Sequence, residues 1–325
     1  MIPENRNAGL VFLALVVIAS GCAHTGPSGD TAAKTQAVQV SNFSAIPDTV
    51  FESQEPTLRL TLKNTGDFKA TDVRATLFNV PFGQPSQREW GVESRTFNFG
   101  TLRPANEEAG LPATPKERTK TVTPPDLSDG EVIPYDFMAR IFFKYRTRAT
   151  TEIQLMGQQR FRETGQARAR PAIENTDGPI QMEVRTRTPI VFYEDGTTSS
   201  NLCLIVRNEG QGTPTWPQDR TQEDVVQIKI RSSGSMSFET IEGQPNRLEL
   251  VGKRGIKCYR VTGFEDFSST DIQRTIPVTF EAVYGYKKET QTSITVKGRG
   301  GSSSSTTSGG SDNPDDGGSP PAPPS

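Results

Sequence analysis

The chain has 325 residues, a formal net charge of -2 and 33% hydrophobic residues, with 29 Gly and 24 Pro. A nucleic-acid partner would call for a large basic excess, so the charge balance excludes one, and there is too little apolar material for a large helical core. What remains is room for two domains of ordinary size built from short strands and turns.

The first element is the apolar run from Gly9 to Cys22 (Leu10-Val11-Phe12-Leu13-Ala14-Leu15-Val16-Val17-Ile18). About a dozen apolar residues fall short of the roughly 20 a membrane-crossing helix needs, but they suit the h-region of a signal peptide. The run closes in Ala19-Ser20-Gly21-Cys22, which resembles a lipobox, the prokaryotic lipoprotein signal. The resemblance implies that residues 1–21 are removed and that Cys22 carries lipid on its sulfur and becomes the mature N-terminus. The protein is then tethered in a membrane through Cys22, with the rest outside the cytoplasm, on the cell surface or the periplasmic side. Two departures stand against it: Ala19 sits where Leu is commoner, and Glu4 offsets Arg6. The alternative is a plain secretory signal or an uncleaved anchor, with Cys22 an incidental thiol. Residues 22–36 are small or polar and read as a flexible spacer.

From Ala37 onward, two-residue alternation replaces any helical period. Leu58, Leu60 and Leu62 alternate with Arg59, Thr61 and Lys63 in a strand with one wet face. It ends at Asn64-Thr65-Gly66, where Asn and Gly tolerate positive φ, and a second strand follows at Val73, Ala75 and Leu77. Pro81 to Val132 is looser, with one strand at Thr96-Phe97-Asn98-Phe99. A strand follows at Ile133 to Phe143, and a return strand reaches Ile153 and Leu155.

The order then repeats about 143 residues later. Pro47 to Glu52 answers Pro189 to Glu194, and Leu58-x-Leu60-x-Leu62-x-Asn64-x-Gly66 answers Leu202-x-Leu204-x-Val206-x-Asn208-x-Gly210. Ile133-Pro134-x-x-Phe137-x-Ala139 answers Ile276-Pro277-x-x-Phe280-x-Ala282, and Ile153-x-Leu155 answers Ile294-x-Val296. Four matches in one order indicate a duplicated β domain. The expected fold is all-β: two tandem immunoglobulin-like antiparallel β-sandwiches at 37–160 and 179–298, joined by a linker at 161–178. Residues 299–325, rich in Gly, Ser, Pro and Asp, read as a disordered tail.

The strand-then-Asn-x-Gly turns, Leu60 to Gly66 and Leu204 to Gly210, come with late aromatic strands around Phe143 to Tyr145 and Tyr284 to Tyr286. Together they resemble the CARDB (cell-adhesion-related) family of archaeal and bacterial surface proteins. That resemblance implies surface display and adhesion or spacing, with no shared catalytic residues. The long Pro81 to Val132 insertion departs from the family's compact pattern.

Few residues offer chemistry. The one His, His24, lies in the spacer, which removes Ser-His-Asp, Cys-His and His-bearing zinc arrangements. No Cys-x-x-Cys and no Gly-rich phosphate loop occurs, so no cofactor or metal is implied. Asp312, Asp315 and Asp316 lack a Gly-fixed loop and read as solvated tail rather than a calcium site. Cys203 and Cys258 project from the outer sides of their strands, where two extracytoplasmic thiols would oxidise to a disulfide; the alternative is two semi-buried free cysteines.

Trp90 and Trp216 sit in Pro-rich loops, as binding anchors or as lids folded over a core edge. Asn42-Phe43-Ser44 is a glycosylation sequon. Between Arg140 and Arg170 the basic residues outnumber Glu152 and Glu163, as a contact for anionic polymers or as a wet strand face. These features describe a non-enzymatic, lipid-anchored adhesion, binding or spacer module that meets envelope proteins or glycans. The alternatives are a structural subunit of a pilus, secretion or S-layer assembly and, less favoured, a carboxylate-based enzyme accessory.

Overall fold

The computed structural model describes residues 35–299, except 107, 194–197, 199–200, 233–235, 244–245 and 263–272. In the first half, β1 (Val38–Ile46), β3 (Thr57–Asn64) and β6 (Lys116–Thr121) form one sheet in the order β1-β3-β6. On β3, Leu58, Leu60 and Leu62 are fully buried while Arg59, Thr61 and Lys63 keep contact with water. That is the alternation the sequence shows.

β6 was not legible in the loose region because Lys-Glu-Arg-Thr-Lys-Thr has no apolar residue. Its cations instead cover the core's edge with their stems. Lys116 Nζ donates to the Thr101 carbonyl at 2.7 Å, Arg118 Nε to Asn98 at 2.9 Å, and Lys120 Nζ lies 5.5 Å from the Phe97 ring centroid.

Facing this sheet are β4 (Ala70–Phe78) and β5 (Thr96–Leu102), laid beside the long β7 (Val132–Gly157). The second half repeats the plan. One sheet has the order β14-β16-β11-β9, from β9 (Ile180–Val184), β11 (Leu202–Asn208), β14 (Ser237–Thr240) and β16 (Arg254–Thr262). Opposite it, β12 (Thr213–Thr215) and β13 (Val225–Ser232) lie beside β17 (Gln273–Lys297), and the short β15 (Arg247–Glu249) lies on the far side of β13. Each half is an immunoglobulin-like antiparallel sandwich.

The halves are not closed separately. The expected return strand does not turn back: β7 is continuous, and β17 pairs with it antiparallel without a break from Gln273↔Met156 to Lys297↔Val132. The first part of β7 lies beside β4, and its second part passes into the other sandwich. There it receives β10 (Ile190–Phe192) in parallel, while β2 (Thr49–Phe51) of the first half pairs in parallel with the end of β17. The two repeats have therefore exchanged their last strands. Locally this follows from composition, since from Met138 to Met156 there is no Gly, Pro, Asn or Asp to make a turn, and Thr and Ile favour extended backbone.

Residues 161–178, read as a linker, contain the end of a short helix (Gln158–Thr164) and β8 (Ile173–Asn175), which pairs with β7. One continuous hydrophobic cluster runs through both halves.

Candidate functional site

The joint between the halves is held by one device used twice. In the first half the Asn64 side chain donates to the Phe68 carbonyl at 2.8 Å and accepts from the Gly66 N–H at 3.1 Å, while the Phe68 N–H donates to the Tyr145 hydroxyl at 2.9 Å. In the second half, Asn208 donates to Gly212 at 2.8 Å and accepts from Gly210 at 3.2 Å, and the Gly212 N–H donates to the Tyr286 hydroxyl at 2.9 Å. The glycines are needed for close approach, not for positive φ, which neither has. A Cβ on Gly66 or Gly210 would collide with the Tyr145 or Tyr286 hydroxyl.

Because Tyr145 and Tyr286 are equivalent, the repeat spacing in the long strands is two residues shorter than the Ile133-Pro134 and Ile276-Pro277 match suggests. A slip of two leaves every side chain on its original face, so alternation does not register it, although the match of Ile153 with Ile294, 141 residues apart, already carries the shorter spacing. Burial raises the pKa of all three tyrosines here: Tyr286 to about 12, and Tyr145 and Tyr284 above their ordinary range.

Charges add to the joint. A register shift in β4 turns Asp72 toward Arg220 of the second half, at 2.9 Å, and the Arg220 guanidinium stacks 3.7 Å from the Phe142 ring centroid. A groove of about 920 Å3 beside Phe68 is bordered by Lys63, Lys69, Arg103, Arg146 and Asp67.

The outer face of the second half carries the predicted cysteines. Cys203 and Cys258 are directly opposite in the β11/β16 ladder and form a disulfide. In the first half the corresponding Arg59 pairs with Glu117 at 3.4 Å instead. Beside the disulfide lies a groove of about 810 Å3 whose lining includes Arg247, Leu248, Lys257 and two exposed apolar residues, Ile241 and Ile256. Arg247 joins Trp216 to this region, with its guanidinium 5.5 Å from that half-buried ring. Lys257 lies on the core side of β16, donates to the Arg247 carbonyl at 3.1 Å, and has its pKa lowered by burial. Sequence reasoning missed this groove because β14 and β15 are too short to show alternation.

The other candidates disperse. Trp90 is not a displayed anchor: it is 0% exposed, edge-on to Phe137 at 4.7 Å and Tyr135 at 5.3 Å between centroids. The loop after Pro81 folds it inward, the Trp90 backbone N–H donating to the Pro81 carbonyl at 2.8 Å. Asn42 is exposed at a bulge in β1, its side chain donating to Ser44 Oγ at 3.0 Å. The basic run lies largely on wet strand faces. Arg140 pairs with Glu289 at 2.8 Å, Arg146 and Arg148 share Glu281, and Arg170 reaches Glu183 at 3.6 Å. Cys22, His24, Asp312, Asp315 and Asp316 lie outside the described residues.

Among the described residues no three His, Cys, Asp or Glu side chains gather as a metal site, and no helix is long and apolar enough to cross a membrane. The grooves offer apolar contact and charge.

No family model and no curated protein matches the chain. Among solved structures it is similar to the D0–D1 domain of intimin, with 9% identity and a TM-score of 0.18 over 79% of this chain and 98% of that chain. It is also similar to native E. coli alpha-2-macroglobulin, with 12% identity and a TM-score of 0.16 over 80% and 17%. The collagen adhesin of S. aureus gives 9% identity and a TM-score of 0.12 over 81% and 94%. Overlaps of this size carry no argument, and the fold rests on the strand pairing above.

Proposed function

We propose that this is a lipid-anchored, extracytoplasmic and non-catalytic protein, a spacer that presents binding surfaces to envelope proteins or glycans. The unbroken β7/β17 ladder carries the reading, because it makes the two sandwiches one stiff body roughly 80 Å along the ribbon. The Cys203–Cys258 disulfide supports an oxidising compartment. Ala19-Ser20-Gly21-Cys22 supports lipid at Cys22. Two acyl chains, at about 0.8 kcal/mol per buried methylene, anchor stably where one is marginal.

Mass spectrometry of the mature protein from its native membrane tests this. The expected N-terminus is Cys22 with the added lipid mass, and Cys22→Ser should lose processing. A Cys22→Ser protein that is processed and retained in the membrane like the parent would refute the anchor. A second reading, a subunit that pairs with other chains through strand edges, is favoured by the short reach of β15, which pairs only with Val225–Gln227 of β13 among the described residues. It predicts stoichiometric copurification with a partner from detergent-solubilised membranes.

A further inference from the structure

The outer faces of the two halves are unlike. On β17 the outward row is Gly285, Val283, Glu281 and Thr279, and only Glu281 has a long side chain, itself 7% exposed. Lys144, Arg146 and Arg148 of β7 stand beside Gly285, Val283 and Glu281 on one side of this row. Gln227, Lys229 and Arg231 of β13 stand beside Val283, Glu281 and Thr279 on the other. At about 4.8 Å between strands and about 3.4 Å per residue, the low row is the floor of a trough roughly 10 Å wide and 20 Å long between two cationic walls.

The first half has no such trough. With Tyr145 equivalent to Tyr286, the matching row on β7 is Lys144, Phe142, Arg140 and Met138. Phe142 lies under Arg220, and Arg140 stacks 4.6 Å from the Phe78 ring centroid and pairs with Glu289, so that floor is filled. Thr76 and Phe78 hold the places of Lys229 and Arg231.

Cations outnumber carboxylates along the trough. Arg146 and Arg148 share Glu281, at 3.5 and 3.8 Å, and their guanidinium groups lie 4.3 and 5.3 Å from the Phe68 ring centroid, which holds them in place. At one end Arg74, Lys144 and Arg220 share Asp72. Lys229 and Arg231 are exposed and have no ion-pair partner among the described residues. Residues 233–235, which follow on from β13, are Ser-Gly-Ser and uncharged. Other carboxylates nearby are engaged or lie beyond the walls: Glu223 pairs with Lys287, Asp219 accepts from Thr221 and Gln222, and Glu174 and Asp67 are on the far side of β7. Residues 263–272, which include Glu265, Asp266 and Asp271, lead into Gln273, about 20 Å along β17 from Thr279.

None of the exposed large apolar residues lies on this stretch. A membrane-binding face would offer apolar side chains for insertion, and a protein interface an aromatic or apolar anchor. The trough offers guanidinium forks that match carboxylates, with the hydroxyls of Thr150 and Thr279 and the amide of Gln227 among them. We propose that it binds an acidic polysaccharide, a chain of uronate sugars lying along β17 with its carboxylates against Arg146, Arg148, Lys229 and Arg231. This rests on the reading of the protein as a binding module, names the class of glycan, and is independent of the lipid anchor.

The test uses the full-chain protein in phosphatidylcholine nanodiscs and a galacturonate hexamer, followed by calorimetry. Saturable binding is expected, none to the neutral maltohexaose, and a several-fold loss between about 50 and about 500 mM NaCl. Lys229→Glu with Arg231→Glu should weaken binding at least about tenfold. Glu281→Gln should tighten it about threefold, a gain that misfolding does not produce. Val283→Trp, which changes no charge but fills the floor, should also weaken it about tenfold.

No saturable binding, or binding unchanged by the charge reversals, would overturn the proposal. Binding that survives Val283→Trp would show diffuse attraction rather than a trough and overturn it as well. A hexaglutamate peptide bound as tightly as the hexamer would assign the face to an acidic protein. Loss of hexamer binding when phosphatidylglycerol replaces phosphatidylcholine in the disc would assign it to lipid headgroups. Binding seen only after Glu265, Asp266 and Asp271 are changed to their amides would place a segment of this chain there, and each of these three results overturns the proposal. The mass at Cys22, read on the same preparation, separates failure here from failure of the anchor.

Discussion

Removing the Tyr286 hydroxyl leaves the Gly212 N–H and the Asn208 side chain each short of a partner at the joint. Tyr286→Phe should cost about 1–3 kcal/mol in denaturant unfolding. It should also change the response to base. The folded pKa lies above the ordinary value of 10.0, at about 12. The hydroxyl's contribution is therefore complete below pH 10 and is lost as pH rises through 12. Melting temperatures of parent and variant should converge over that interval.

The disulfide spans 55 residues, so Cys203→Ala with Cys258→Ala should cost up to about 4 kcal/mol by chain entropy. Reductant should lower the melting temperature of the parent and leave the double variant unchanged. This pair was readable in advance because strand alternation put both thiols on one outer face. Trp90 could be placed either way, since a loop sequence does not say whether its aromatic meets water or Phe137.

At the scale of elements, the alternating strands β3, β11 and β5 were plain in the sequence because their inward residues are apolar. β6 was hidden because lysine and arginine stems do the covering there. The strand exchange had left a trace, the want of any turn former between Phe143 and Ile153, but a pattern of faces does not name the neighbour a strand will choose. Exchange makes a prediction that tandem closed domains do not share. A protease site placed in the exposed stretch 165–167 and cut should leave two fragments that coelute in native size-exclusion chromatography and part only in denaturant. Either fragment expressed alone should stay unfolded by circular dichroism, because each lacks the strand the other holds.

Across the whole molecule, one hydrophobic cluster and one ladder serve both sandwiches. The protein should therefore melt in a single transition, with calorimetric and van't Hoff enthalpies equal. Two separated transitions would show that the halves hold their own folds. Duplication was legible from four ordered matches, and the union of the copies was not, because repeats look the same whether they stand apart or interlock.

The interlocking also governs when folding can finish. A chain leaving the ribosome makes the strands of its first sandwich early, yet that sandwich stays open until the residues near Lys297 emerge. Truncated translation products that lack β17 should remain protease-sensitive along their whole length, and a nascent chain should stay pliable until β17 has been made.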